Sequence, residues 1–524
     1  MSAMPRIRDI FAPYRPSVLG GYSSGDGWRN KLWLYGLVYL TALAAIGCAF
    51  AFLGTNILMP LAALIGILAI LAIWAMPVNE KPPLTIIYRL SACFLIAILV
   101  WPDYIGFDFP GLPWITGLRI FGTPLAVAFL FAISVSKNFR TQLAEILKET
   151  KWVLNALIIF FIFATMSVIF SSDLSNSLNK LTVAYLYWLL IFLSSAWIFA
   201  KAKSAVWLGG VIWFAALVAI ALGVWEWSIQ AVPWAGHIPT FLTIDDPIIQ
   251  KILTGKSRAA TGIYRLQGKH TTPLGFAESL AFATPFVLYF LIYAKSLFVK
   301  GASLLTLPVL FITILRTDSR LGVVGFFAAC LLAIFAWGVV RWKNKEGSIF
   351  GPALTLAWPA IFMAFMTATF FVGRLRNMVW GTKAQSYSSQ AREAQWDMGI
   401  PKLFARPWGY GIGQGGETLG YRNLAGGLTI DSHYLAALLE YGILGSAAYS
   451  VIFFAALYYG SMKLLKAKTE EHFLLIPLMS VIAIFIVIKS VFAQQDNHPL
   501  VFIILGALCA ICWRIEKDAR SELA

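Results

Sequence analysis

Long apolar runs separated by short polar connections dominate the chain, and their length decides what they are. A helix that crosses the hydrocarbon core of a bilayer needs about 20 mostly apolar residues, because each residue advances it by only about 1.5 Å. Fourteen runs reach or approach that length, at 32–53, 56–78, 84–101, 114–136, 152–170, 177–200, 205–228, 273–295, 301–315, 320–340, 349–372, 432–460, 472–493 and 498–513. The runs at 301–315 and 498–513 are the shortest, and Arg119 lies near the start of 114–136. The first run follows a long polar, basic stretch and exceeds the apolar segment of a cleavable signal peptide, so it predicts a permanent first helix. The pattern as a whole predicts an all-α polytopic membrane protein.

Composition agrees and narrows the class. Hydrophobic residues make up 59% of the 524 and charged residues 13%. A soluble domain averages roughly 45–50% and about 25%, so there are too few charges here to cover a water-soluble fold or to keep a chain disordered. All five cysteines fall inside apolar runs, which implies no exported disulfide framework. Cys509 and Cys512 form a CxxC without a second pair, and read as two small residues of a lipid-embedded helix rather than a metal or redox site.

Charge adds topology. The formal net charge is +16, and Lys and Arg recur in alternate connections: the N-terminal tail, Lys81, 137–151, Lys201 and Lys203, Lys295 and Lys300, 341–345, 463–468 and the C-terminal tail. The short connections between them carry Asp103, Asp108, Asp173 and Asp496. Basic flanks stay cytoplasmic, which predicts both termini inside and an even number of spans. The expected divisions are a tail at 1–31, a bundle at 32–228, an outer loop at 229–272, central helices at 273–372, a large outer loop at 373–431, C-terminal helices at 432–513 and a tail at 514–524. Two amphipathic stretches in the outer loops, 247–253 and 391–404, suit helices that lie in the interface and roof a cavity.

The outer loops break the charge bias. The first holds Lys251, Lys256, Arg258, Arg265 and Lys269; the second holds seven Lys and Arg between 374 and 422. A very short connection places Arg316 and Arg320 about one helical turn apart around Asp318 and Ser319. Ionisable residues at membrane depth are expensive and point to function. Arginine suits phosphate in particular, since its planar fork pairs with two oxygens at once. A basic outer face for an anionic ligand is thus expected.

Further motifs refine this picture. Gly411, Gly413 and Gly416 spell GxGxxG, but the dinucleotide fingerprint needs a preceding strand and a following helix. These glycines are expected instead to let the backbone turn tightly or approach a ligand. His433 opens a span beneath that loop, with Ser432 or Asp431 as a helix cap, and is a candidate base or hydrogen-bonding group. HExxH and Walker A motifs are absent from the sequence, and the first outer connection is only Gly54–Thr55, so a site without metal or other cofactor is expected.

Three pieces occur in order: Arg265-Leu-Gln-Gly268, Ser319-Arg320-Leu-Gly322, and Pro407-Trp-Gly-Tyr-Gly-Ile-Gly413 followed by His433 and Glu440-Tyr-Gly-Ile-Leu-Gly445. Together they resemble the O-antigen ligase and polymerase superfamily of bacterial inner-membrane proteins, over roughly residues 260–450. Tyr434 stands where the family usually has Asn, and Leu321 where it often has Gly or Ala. The resemblance implies a C-type membrane glycosyltransferase fold and an inverting, metal-independent transfer on the periplasmic face. The implied donor is a glycan on undecaprenyl diphosphate, and the acceptor is lipid A–core or a lipid-linked repeat unit. Arg265 and Arg320 match the arginines that bind the diphosphate, and His433 matches the histidine beside the reacting centre. Arg316, Ser319, Arg258, Lys269, Gly411 and Gly413 complete the expected substrate site. The bilayer is the other implied partner, and nucleic acid is not one. A repeat-unit polymerase and a lipid-linked glycan or solute transporter remain as alternatives.

Overall fold

The computed structural model describes residues 82–109, 113–254, 262–344, 348–380, 386–423 and 426–523. The expected spans at 32–53 and 56–78, the tail at 1–31 and Arg258 lie outside the described residues.

Helices account for most of the described structure. In chain order they are α1 (Leu84–Val100), α2 (Gly117–Val135), α3 (Lys137–Lys148), α4 (Lys151–Ser167), α5 (Leu174–Ile198), α6 (Ser204–Ile229), α7 (Pro247–Leu253), α8 (Pro273–Tyr293), α9 (Leu297–Arg316) and α10 (Arg320–Asn344). There follow α11 (Phe350–Phe371), α12 (Gly373–Val379), α13 (Ser386–Ala405), α14 (Gly415–Leu419), α15 (His433–Leu464), α16 (Leu475–Lys489) and α17 (His498–Leu523). Eleven helices among the described residues are long and apolar enough to cross a membrane, and the shorter α1 is also apolar. A two-residue antiparallel ladder pairs Gly106 with Thr116 and Phe107 with Ile115.

Local chemistry sets the helix starts. Thr272 Oγ1 accepts from the amide of Gly275 ahead of α8, with Pro273 at the first helical position, where a missing N–H costs nothing. Ser432 Oγ accepts from Leu435 N and caps α15, and Asp173 Oδ1 accepts from Asn176 N and caps α5.

The two runs read as shortest are longer than their apolar stretches. Helix α9 begins four residues before 301, so Lys300 and Gly301 lie inside it. Helix α17 continues past 513 into charged sequence, where Glu516 accepts from Lys463 (2.6 Å) and Arg514 pairs with Glu471. Arg316 and Arg320 stand at the junction of two spans as expected: α9 ends at Arg316, Asp318 takes a left-handed φ of 47°, and Arg320 opens α10. They therefore belong to two helices, on either side of the short connection.

Helix α17 is the axis of the bundle, with 89% of its membrane-length window buried, whereas α11, at 6%, stands at the margin. The most extensive packing joins α4 to α15, α5 to α17, and α8 to α10. Apolar side chains such as Leu297, Phe298, Leu305 and Phe371 face outward, as lipid contact requires. One ion pair is wholly enclosed: Lys489 Nζ lies 3.0 Å from Glu278 Oε1, and Asn497 Nδ2 donates to the other carboxylate oxygen at 2.8 Å. The two ends of the bundle differ. One is laced by pairs linking Glu149, Lys463, Glu516 and Arg520. The other gathers the start of α8, the turn between α9 and α10, the start of α15 and the end of α16.

Candidate functional site

That second end encloses a cavity of about 510 Å³. Its polar lining comes from five separate stretches: Arg265 and Thr272 of the segment before α8, the Asp318–Ser319–Arg320 turn, Ser388 and Arg392 of α13, and the Thr429–Asp431 and Ser490–Gln494 connections. Three guanidinium groups thus face two carboxylates, an excess of positive charge suited to a multiply charged anion.

Each part is held from behind. Glu226, at the end of α6 and fully buried, accepts from Tyr264 Oη (2.9 Å), Gln267 N (3.1 Å) and Gly268 N (2.8 Å). Those three bonds fix the Tyr264–Gly268 segment on both sides of Arg265. Burial and the adjacent Glu226 carboxylate keep the Tyr264 hydroxyl protonated far above its ordinary range. Arg265 Nε in turn donates to Thr317 O at 3.0 Å, and Leu266 N donates to Arg316 O, joining this segment to the turn that carries Ser319 and Arg320. Arg320 Nη1 donates to Trp380 O, which anchors it to the end of α12. Ser319 is buried, and its Oγ makes no hydrogen bond. The Nε of Arg392 makes none either.

Asp431 enters the cavity two residues before His433. Its amide donates to Gln395 Oε1 on α13 (2.8 Å), which ties this stretch to the helix that carries Arg392. Burial pushes the Asp431 carboxyl above its ordinary range, while Arg392 pulls it back.

The remaining expected site residues lie elsewhere. His433 is 1% exposed and does not line the cavity. Its Nδ1 lies 3.3 Å from the carbonyl oxygen of Ala493; a carbonyl only accepts, so Nδ1 carries the hydrogen. Ala493 belongs to the cavity wall, so His433 stands one layer behind it, beside Tyr449 and His498. Arg316 is exposed and stacks its guanidinium on Trp227, 4.2 Å from the ring centre. Lys269 is buried against Asp103, with Nζ 3.2 Å from Oδ1.

Gly411 and Gly413 serve the fold rather than the cavity. Gly411, at φ +109°, lies where a Cβ would press on Ser171 at 2.8 Å, and the amide of the intervening Ile412 donates to Ser167 Oγ. The glycine-rich stretch therefore docks on the junction of α4 and α5. It also locks to α15: Tyr410 N donates to Leu439 O, Gly411 N to Glu440 O, and Ile443 N to Pro407 O. Gly442 permits this by leaving helical geometry inside α15 (φ 71°, ψ −174°).

Sequence reasoning missed Arg392, Asp431 and Gln494 as cavity residues. It also missed a cluster beside the cavity, in which one ligand atom each from Asp103, His270 and Asp496 lies within 4.8 Å of the others.

Comparison with known families places this geometry. A family model described as O-Antigen ligase matches residues 304–450, which run from α9 through the first half of α15. The match contains Ser319, Arg320, the glycine-rich stretch and His433. No curated protein matches the chain.

Proposed function

We propose, from an O-antigen ligase match over residues 304–450 in a multi-pass membrane protein, that the chain is a glycosyltransferase. In this reading it moves a glycan from undecaprenyl diphosphate to the sugar of lipid A–core. Both termini lie in the cytoplasm of a bacterium with two membranes, and the cavity opens to the periplasm. The positively biased connections gather at the end of the bundle remote from the cavity, which supports that orientation.

One observation carries the reading: Arg265, Arg320 and Arg392 line one cavity together with a buried, unbonded Ser319 hydroxyl. A diphosphate leaving group is already activated, so the reaction needs neither a nucleotide nor a covalent intermediate. The acceptor hydroxyl oxygen attacks the anomeric carbon, the bond from that carbon to the diphosphate oxygen breaks, and its electron pair leaves on the diphosphate. Fixed guanidinium groups stabilise the charge that grows there, the role a metal ion fills at other sites. Single displacement inverts the anomeric centre. The hydroxyl proton passes to Asp431, the carboxylate at the cavity whose burial strengthens it as a base. His433 acts as a positioning group that holds Ala493 in the wall.

Gene deletion followed by analysis of the lipopolysaccharide tests the acceptor. Loss of a ligase leaves bare core, whereas loss of a polymerase leaves core with at most one repeat unit. Complementation by Arg265→Ala or Arg320→Ala, at normal membrane levels, is expected to fail.

A further inference from the structure

Three connections far apart in sequence meet beside the cavity: residues 101–109 with Asp103, the stretch before α8 with His270, and the stretch before α17 with Asp496. Backbone and side chains both join them. Asp103 N donates to Lys269 O (2.9 Å), and Thr271 Oγ1 donates to Asp496 Oδ2 (3.0 Å).

Ser279 Oγ lies 2.8 Å from Phe276 O and 3.1 Å from His270 Nε2; with its single hydrogen on Phe276 O it accepts from Nε2. In that arrangement Nε2 is the N–H. Nδ1 belongs to a side chain 1% exposed, makes no hydrogen bond, and lies 3.3 Å from Asp103 Oδ2. In that tautomer a nitrogen lone pair faces a carboxylate oxygen, and a positive species between them relieves the repulsion. Lys269 only partly supplies it: with its ammonium on Asp103 and a neutral imidazole, the two carboxylates leave the group one charge negative.

We propose that Asp103, His270 and Asp496 bind a divalent cation of the Mn²⁺ or Zn²⁺ class. An imidazole nitrogen with two carboxylate oxygens suits these ions better than Mg²⁺ or Ca²⁺, which prefer all-oxygen shells. Each ligand already has an outer partner that orients it: Ser279 for His270, Thr271 for Asp496 and Lys269 for Asp103. Ligand atoms sharing one such ion stand about 3–4 Å apart, and the exposed Asp496 supplies the small closure required. The ion pins three connections behind Thr272 and Gln494, which line the cavity and bond to each other at 2.7 Å. The site is independent of the transfer reaction proposed above and takes no part in its steps.

The test uses the purified full-length protein, stripped with chelator, exchanged into metal-free buffer at neutral pH and titrated with MnCl₂ while free Mn²⁺ is followed by electron paramagnetic resonance. The expected result is one Mn²⁺ per chain, displaced by Zn²⁺, with affinity at least about tenfold weaker in Asp103→Asn and Asp496→Asn. Asp496 is exposed, so its variant keeps the fold. Lys269→Met removes a competing charge and is expected to tighten binding. Absence of stoichiometric binding, or undiminished binding in Asp496→Asn, overturns the site; in that case the positive species beside Asp103 is a proton on His270.

Discussion

Arg265 donates from Nε to the carbonyl oxygen of Thr317, 3.0 Å away, and so ties the first basic motif to the turn that presents the second. The two motifs lie more than fifty positions apart in the chain. Their joining depends on Glu226, which neither motif contains.

Glu226 is thus predicted to be a positioning residue. Glu226→Leu leaves three buried donors without an acceptor, each costing about 1–3 kcal/mol. Transfer activity and thermal stability in detergent are both expected to fall. Glu226→Gln, which retains one carbonyl acceptor, is expected to recover more stability than activity, because Arg265 stays displaced. Equal recovery of both in an activity and melting comparison would make Glu226 structural only.

Ser319 separates binding from folding in the opposite sense. Its buried Oγ lacks an internal partner, so Ser319→Ala removes nothing the fold uses, and the melting temperature should hold or rise. A hydrogen bond to a charged phosphate oxygen is worth about 1.5–3 kcal/mol. Initial-rate kinetics are therefore expected to show kcat/KM lower by roughly tenfold to a hundredfold. An unchanged kcat/KM would place the hydroxyl away from the diphosphate.

Asp431 supplies a pH signature. Burial raises its pKa, with Arg392 opposing, so as a base it becomes available only above the ordinary carboxylate range. The acid limb of the rate profile should lie correspondingly high and disappear in Asp431→Asn. The sign for stability is separate: a raised folded-state pKa favours the fold fully below the unfolded pKa, and that contribution is lost as pH rises through the folded pKa. At pH 7 the unliganded Asp431→Asn protein should melt no lower than wild type. A persistent acid limb in that variant would assign the proton elsewhere.

Among the described residues, span positions were legible because a span must be apolar through the membrane; the ends were less so. Helix α17 outruns its apolar stretch because Glu516 and Arg514 find partners on neighbouring elements, which composition along one segment does not reveal. Arg265, Ser319 and Arg320 were legible as motifs, and all three line the cavity. Asp431 read only as a possible cap, because the side that Gln395 and Arg392 give it comes from α13, which reaches it only through the fold. Gly411 and Gly413 were read as loop or ligand glycines; their close approach is to α4 and α5, a contact between segments more than two hundred residues apart. Asp103 and Asp496 counted in the sequence only as acidic loop residues, and their convergence on His270 exists only in three dimensions.

The central claim is that Arg265 and Arg320 hold a lipid diphosphate during glycosyl transfer. Its most direct test is the purified protein in vesicles with an undecaprenyl-diphosphate-linked glycan and lipid A–core, without ATP, measuring glycosidic product and released undecaprenyl diphosphate. The account predicts equal amounts of both from wild type. It predicts rates at least about a hundredfold lower from Arg265→Ala and Arg320→Ala, and poor rescue by Lys at either position, which lacks the bidentate fork. Near-wild-type product from either alanine variant, or no product from the wild-type protein, would contradict it.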